Sequence, residues 1–342
     1  MKHLFRLWMV AISMSTTALY AQDENDIVYF LVAGPQDASK LTQAYLNPAI
    51  EGLSYGFNGG WYNSAKTHKT FGFDIGVAVH GVGIPSSYNY FDPRKLNLQT
   101  VTGFTSTASN GLAPAISGPE VATTYTVNNG QASFPGPKGV DFKKNIGISG
   151  VLAPTAQLSL GIYKNTDLKI RWLPEIKSHN TSIKAYGFGV MHDIKQHIKG
   201  ISILPFDLSL LVAYTHIDGA TSLENAFAKP SMDQRKQEMT YNMDGWLYQA
   251  LISKKIAIVT FFGGVGVTTA RTSANTRGSY VIPEVGTFKD PISLDFKNNS
   301  MRVAAGMRFN FGPIYLSGEY SLQEYSMVSV GLGVSVREAK IY

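Results

Sequence analysis

The chain nearly ends on MVSVGLGVSVR, in which Val328, Val330, Leu332, Val334 and Val336 alternate with Ser329, Gly331, Gly333 and Ser335. Strict alternation of this kind marks a β-strand with one branched apolar face and one small, polar face. The pattern recurs. Phe71, Phe73, Ile75, Val77 and Val79 alternate with Gly72, Asp74, Gly76, Ala78 and His80, and Leu168, Ile170 and Trp172 alternate with Asp167, Lys169 and Arg171. Met301 to Phe311 sets its apolar positions against Arg302, Ala304, Gly306, Arg308 and Asn310. Such runs predict strands over 53–62, 70–82, 147–163, 166–174, 182–194, 205–217, 239–253, 256–270, 299–311, 313–323 and 326–337.

Very short links (Gly312-Pro313, Lys254-Lys255, Asn165) alternate with longer ones at 271–298, 218–238 and, less markedly, 175–181. Residues 195–204 and the brief link Gln323–Tyr325 depart from the rhythm. Bacterial outer-membrane barrels carry this asymmetry of short turns at one end and long loops at the other, and they have an even number of strands. Eleven strands are odd, so a twelfth is placed at Leu96–Thr105, ahead of a large Gly/Ser/Thr-rich loop at 106–146. The predicted fold class is all-β: a transmembrane antiparallel β-barrel of about twelve strands, with ten to fourteen in range.

A soluble β-sandwich also alternates. Against it stand the absence of a composition break in a long chain and strand lengths near the 9–11 residues that cross a bilayer at a tilt. Many strands also carry aromatics near their ends, among them Trp61, Phe71, Trp172, Tyr214, Tyr241, Tyr315 and Tyr325. An arginine facing lipid at mid-depth costs about 2–4 kcal/mol, so the charged side of each strand faces inward. The lumen is then expected to hold Asp74, His80, Asp167, Lys169, Arg171, Arg302, Arg308 and Glu319, either as a stiffening salt-bridge network or as a lined pathway.

Residues 1–21 read as a signal peptide: Lys2 and Arg6, an apolar core over Leu7–Met14, and ALYA placing small residues for cleavage after Ala21. The expectation is export to the outer membrane of a Gram-negative bacterium, with no later segment long and apolar enough for a spanning helix. Residues 22–52 do not alternate. Asp37 is read as an N-cap of a helix running to Ala44 or Tyr45, with Pro48 ending it. The domain division is 1–21 signal peptide, 22–52 helical plug or hatch and 53–342 barrel.

Two resemblances follow from quoted residues. Asp37-Ala38 and Tyr45-Leu46-Asn47-Pro48-Ala49 ahead of a strand resemble the N-terminal hatch of the long-chain fatty-acid outer-membrane transporter family. That resemblance implies a plug with Asn47, Pro48 and Ala49 as hinge, and a 14-stranded barrel. GWYNSAKTHKTFGFDIGVAV, KNTDLKIRWLPE and YGFGVMHDIKQHIKGISILPFDLSLLVAYTH resemble the recurring blocks of a domain-of-unknown-function family of exported Gram-negative proteins. It implies an outer-membrane barrel and names no activity.

The formal charge of +6, or +4 without Lys2 and Arg6, comes with no basic run, so no nucleic acid is expected as partner. The chain has no cysteine, which excludes thiolate chemistry. His192 and His197 are five apart with no third ligand in view, so neither a metal nor another cofactor is expected. His216 and Asp218 share a strand face without a nucleophile beside them, and no catalytic residue is expected. The reading is passive transport of small or hydrophobic compounds, with Arg302 and Arg308 as candidates for an anionic head group. The alternative is a binding or scaffold barrel acting through its outer loops, for example in secretion or surface assembly. The expected partners are outer-membrane lipid and lipopolysaccharide and, on the transport reading, a small hydrophobic solute.

Overall fold

The computed structural model describes residues 24–178, 180–223 and 237–336. The predicted signal peptide with its cleavage at Ala21, most of the 218–238 loop and Arg337 lie outside the described residues.

Among the described residues ten strands close a barrel: β1 (Phe73–Gly83), β5 (Gly150–Gly161), β6 (Thr166–Ser178), β7 (Thr181–Asp193), β8 (Asp207–Ser222), β9 (Glu238–Ile256), β10 (Val259–Arg277), β13 (Ser293–Phe311), β14 (Ile314–Leu322) and β15 (Met327–Val336). Each pairs antiparallel with the next barrel strand in the chain. The first and last seal the ring through pairs from Phe73↔Val336 to Val82↔Met327. A closed meander has no free strand edge, so every wall segment finds its backbone partners in its neighbours.

The outer face is apolar. Ile75, Leu158, Ile170, Phe188, Leu210, Val212, Ile252, Val265, Val303, Leu316, Val328 and Val330 are all exposed, while the alternate positions are buried in the lumen. The stripe of the closing strand points outward at Val328, Val330 and Val334, and Ser329 and Gly331 point in. The wall is taller on one side. β14, β15, β1 and β5 have 9 to 12 residues, whereas β9, β10 and β13 have 19 each. The surplus extends past the apolar band at the loop end and carries polar side chains outward, including Asp244, Arg271, Asp295 and Lys297.

A cap sits on that end. It contains a three-stranded sheet of β2 (Val101–Ser106), β3 (Thr123–Val127) and β4 (Ala132–Gly136), and a hairpin of β11 (Ser279–Ile282) and β12 (Gly286–Lys289). The N-terminal 3-10 segment Glu24–Ala33 and the first half of helix α1 (Gly34–Asn58) pack under them. Phe30, Leu41, Tyr45, Tyr125, Phe134, Tyr280 and Phe296 share one buried core, with Tyr125 stacked on Phe134 at 5.4 Å.

Several expectations are corrected. The barrel has ten strands, not twelve or fourteen. Residues 96–105 do not join it; Val101–Ser106 pairs with β3 in the cap. Nor do residues 53–62: α1 runs on through Pro48 to Asn58, and the chain after it is irregular. The reason is the enclosure. A segment inside a closed ring has no strand edge to pair with, and a helix satisfies its backbone from within itself. Pro48 removes one helical hydrogen bond, which does not end the helix here. Asp37 lies inside the first turn and is not the N-cap; its carboxylate instead accepts from the backbone N–H groups of Gln99, Thr100 and Val101 at 2.7–3.1 Å. Strand pairing runs through most of the 175–181 link, up to Ser178↔Thr181, and 271–298 is largely strand with the hairpin at its tip.

Candidate functional site

The lumen is occupied by the chain's own N-terminal segment, and the sequence explains how it fits. Gly52 and Gly56 turn one bare face of α1 to the wall, and Gly60, two residues past the helix end, lies close against His80. A Cβ at Gly52 would meet Val151 Cγ2 at 2.9 Å, and one at Gly56 would meet Ala153 Cβ at 2.7 Å. The wall reciprocates on β7, where Cβ atoms at Gly187 and Gly189 would stand 2.9 and 3.3 Å from the ring of Trp61. Glycine on both surfaces lets a helix and an indole share a ring of only ten strands.

From the loop end downward, each level of the plug is tied to the wall. Asn58 Nδ2 donates to Thr268 Oγ1 (2.8 Å) and to the Trp246 carbonyl (3.1 Å). Arg171 donates to the carbonyls of Phe57 (2.7 Å) and Gly59 (2.9 Å), where α1 leaves carbonyls without helical partners, and to Gln157 Oε1 (3.0 Å). Its guanidinium lies 4.0 Å from the Trp61 ring centre. A cation at a helix C-terminus is favoured by the helix dipole as well as by these bonds. Below, Ser209 Oγ donates to the Ala65 carbonyl at 2.6 Å. At the turn end, His68 lies between two carboxylates, its ring nitrogens 2.9 Å from Asp167 Oδ2 and 3.0 Å from Asp74 Oδ1.

The eight residues expected in the lumen are all there and all buried, none more than 6 % exposed. The structure joins them into clusters bound to the plug. Arg302 pairs with Glu319 at 2.6 Å. Arg308 binds Asp74 (2.9 Å) and Asn63 (2.6 Å) and stacks over Tyr315. His80 contacts Ser329 Oγ (2.8 Å) and Thr155 Oγ1 (3.0 Å), and Lys169 donates to Ser159 Oγ at 3.2 Å. Asn47, Pro48 and Ala49 stand elsewhere, in the middle of α1 under the cap, with Asn47 donating to Glu51 Oε2 at 3.2 Å. Reading the sequence missed Asn58, Trp61 and His68 as the plug's anchoring residues. The Gly-Gly pair ahead of Trp61 was the available signal.

Between plug and wall a cavity of about 50 Å³ remains, lined among others by Gly60, Tyr62, Asp74, His80, Lys169 and Glu319. The space holds a few waters and is far smaller than the roughly 300–1,000 Å³ of a pocket for a drug-sized ligand.

A second polar cluster lies where α1 meets the β14–β15 turn. Glu324 accepts from Tyr88 (2.7 Å) and Tyr55 (3.1 Å), close to Glu51 on the helix. Burial, and then the neighbouring Glu324 charge, push the Glu51 carboxyl above its ordinary range. The hydrogen bond to Glu324 is the main cause that lifts the Tyr88 hydroxyl to about 12. For Glu51 the raised value means that the folded protein holds the proton more tightly than the unfolded chain. Its contribution to stability is therefore full below the ordinary value of 4.5 and lost as pH climbs through the raised one. Glu51→Gln should flatten that loss, raising the melting temperature at about pH 8 while leaving it nearly unchanged at about pH 4. Thermal unfolding of the folded band across that range checks it.

On the outer face His216 lies 2.8 Å from Asp244 and 3.2 Å from Asp218. Asp244 is the partner that the sequence did not reveal, because it comes from the neighbouring strand β9 at the paired register His216↔Asp244. His192 and His197 do meet, Nε2 to Nε2 at 3.0 Å, beside the turn-end loop. Among the described residues no group of three or more His, Cys, Asp or Glu is placed to hold a metal.

Comparisons with known proteins place the chain in a family. No curated protein sequence matches it. Solved structures with some likeness include Ail, the attachment invasion locus protein of Yersinia pestis (8% identity, 79% of this chain and 99% of that one, TM-score 0.26). The translocator domain of the autotransporter NalP from Neisseria meningitidis is another (11% identity, 89% and 97%, TM-score 0.28). So is the toluene transporter TodX of P. putida (7% identity, 79% and 91%, TM-score 0.25). Likeness this slight carries no functional argument. The sequence match is of another order, covering residues 1–336, and by it the chain belongs to the family of unknown function DUF6588.

Proposed function

We propose that this protein is an outer-membrane β-barrel, sealed by its own N-terminal segment, that works at the outer surface through its cap. The observation that carries this reading is the filled lumen: a plug hydrogen-bonded to the wall from Asn58 to His68, with a cavity of only about 50 Å³ beside Gly60. Support for the membrane comes from the outward band of branched and aromatic side chains, which no soluble monomer would leave contiguous and exposed. Trp172, Tyr186, Trp246 and Tyr320 lie toward its loop end and Phe71, Tyr163 and Phe311 toward its turn end, all exposed, as interfacial girdles require. The cap then faces outward, as the long-loop end of such barrels does, and offers a folded surface for a binding or assembly role rather than loose loops.

Passive transport of small or hydrophobic compounds is the second reading, favoured by the cavity beside Gly60 and Glu319. It requires the plug to leave the wall. Full-length protein in planar bilayers should show no steady conductance, and liposomes carrying it should take up neither a small polar solute nor a fatty acid. Removal of residues 22–58 should open an ion-conducting pore. Solute flux through the intact chain would replace the sealed-barrel reading with the transport one. Absence of a mobility difference between boiled and unboiled outer-membrane fractions would remove both.

A further inference from the structure

The direction in which the plug runs has a consequence for where the N-terminus lies. β1 starts at the turn end, where Phe71 N–H donates to the Gly161 carbonyl (2.8 Å) and Thr70 Oγ1 to the Ile162 carbonyl (2.9 Å). Followed backwards from there, the chain climbs. His68 is level with Asp74 and Asp167, near the start of β1 and β6. Trp61 is level with the middle of β7, Asn58 with Trp246 and Thr268, and Ser54 with Asn298. By Gln43, which donates to the Asp295 carbonyl at 3.0 Å, it has reached the upper end of β13. Beyond that point Tyr45 OH donates to the Lys138 carbonyl (2.8 Å), Ile116 N–H to the Tyr45 carbonyl (3.0 Å), and Asp37 holds residues 99–101. The 25 residues of α1 alone span roughly 37 Å, more than the roughly 25 Å height of a barrel's apolar band.

We infer that the N-terminal segment runs through the barrel from the turn end to the loop end and that its first described residues, from Glu24, belong to the outer surface. Residues 24–46 are then part of the outward-facing cap and not a hatch inserted from the periplasmic side. The inference rests on the outer-membrane reading but goes beyond it. A barrel with the same loops outside could hold a plug whose N-terminus stayed below. Here the cap core itself uses Phe30, Leu31 and Leu41 from the N-terminal side, so the cap and the segment's outward end form together.

The chain has no cysteine, which makes single-cysteine labelling clean. Gln36→Cys and Gln43→Cys probe the N-terminal segment, Asn110→Cys the cap loops and Lys199→Cys the turn end; all four positions are exposed. Intact cells are treated with a membrane-impermeant, bulky maleimide, and only protein that runs as the folded, heat-modifiable band is scored. The expected result is labelling of Gln36→Cys and Gln43→Cys to the extent seen at Asn110→Cys, with Lys199→Cys labelled only after the outer membrane is opened. If both N-terminal probes instead behave like Lys199→Cys while Asn110→Cys labels, the inference is overturned and the barrel's orientation stands. If Asn110→Cys is also silent in intact cells, the orientation falls, and the inference with it.

Discussion

A Gly60→Val variant should lose about 3 kcal/mol or more of stability and shift the plug off its seat, because two separate costs fall on one position. Gly60 has a φ of +66°, and a Cβ there would stand 2.0 Å from His80 Cε1. A β-branched residue in the left-handed region costs about 1–2 kcal/mol, and overpacking a filled site adds about 1–3 kcal/mol. His80 has little room to give way, since both ring nitrogens are engaged by Ser329 and Thr155 and the side chain is fully buried. The two costs separate by a double-mutant cycle. Gly60→Ala should be rescued in part by His80→Ala, which removes the ring but leaves the backbone strain, with a coupling of about 1 kcal/mol or more. Denaturant unfolding followed by loss of the folded band measures each arm. A Gly60→Val protein as stable as the parent would mean that the plug does not pass the wall at this level. If the variant folds with the plug displaced, it should conduct ions where the parent does not.

That position shows why the barrel was legible in the sequence and the plug was not. Wall strands betray themselves because each turns one apolar side out of the ring and one polar side into the lumen. The demand repeats every two residues, and ten of the twelve predicted strands lie in the barrel. The inward charges were legible for the same reason: Arg302 and Arg308 alternate with apolar neighbours that had to be outside. The plug obeys no two-sided rule. Ser54, Tyr55, Gly56, Phe57 and Asn58 are all buried at once, touching different parts of the ring, so their alternation of large and small imitates a strand. What distinguishes them is the four-residue spacing of Gly52 and Gly56, a signal of close packing on one helix face, with Gly60 continuing the close approach past the helix end. Leu96–Thr105 failed for a related reason. It is strand-like, but its partner is another cap strand, and periodicity does not say which edge a strand joins. Contacts such as His68 with Asp74 and Asp167 depend on the vertical position of the plug, which no local pattern encodes.

Arg302 and Glu319 give the sharpest test of whether the lumen is dry and closed. Their side chains are 1 % and 4 % exposed, the pair lies at 2.6 Å, and Arg302 also donates to Gln323 Oε1 at 3.1 Å. In a packed interior, removing one partner leaves an uncompensated buried charge. Arg302→Leu and Glu319→Leu should each cost about 3–5 kcal/mol. Removing both replaces the pair with apolar volume and no stranded charge, so the double variant should lie within about 1 kcal/mol of the parent or above it. A wide, water-filled channel predicts otherwise. Screened by solvent, each single substitution would cost under about 1 kcal/mol, and the cycle would show little coupling. The same three proteins in planar bilayers supply the functional arm. If the pair only stiffens a sealed barrel, the double variant stays closed like the parent. If the two charges line a route taken by solute, the double variant alters conductance or selectivity without a matching loss of stability. Strong coupling with no change in conductance would therefore assign Arg302 and Glu319 to holding the wall against Gly59 and the plug.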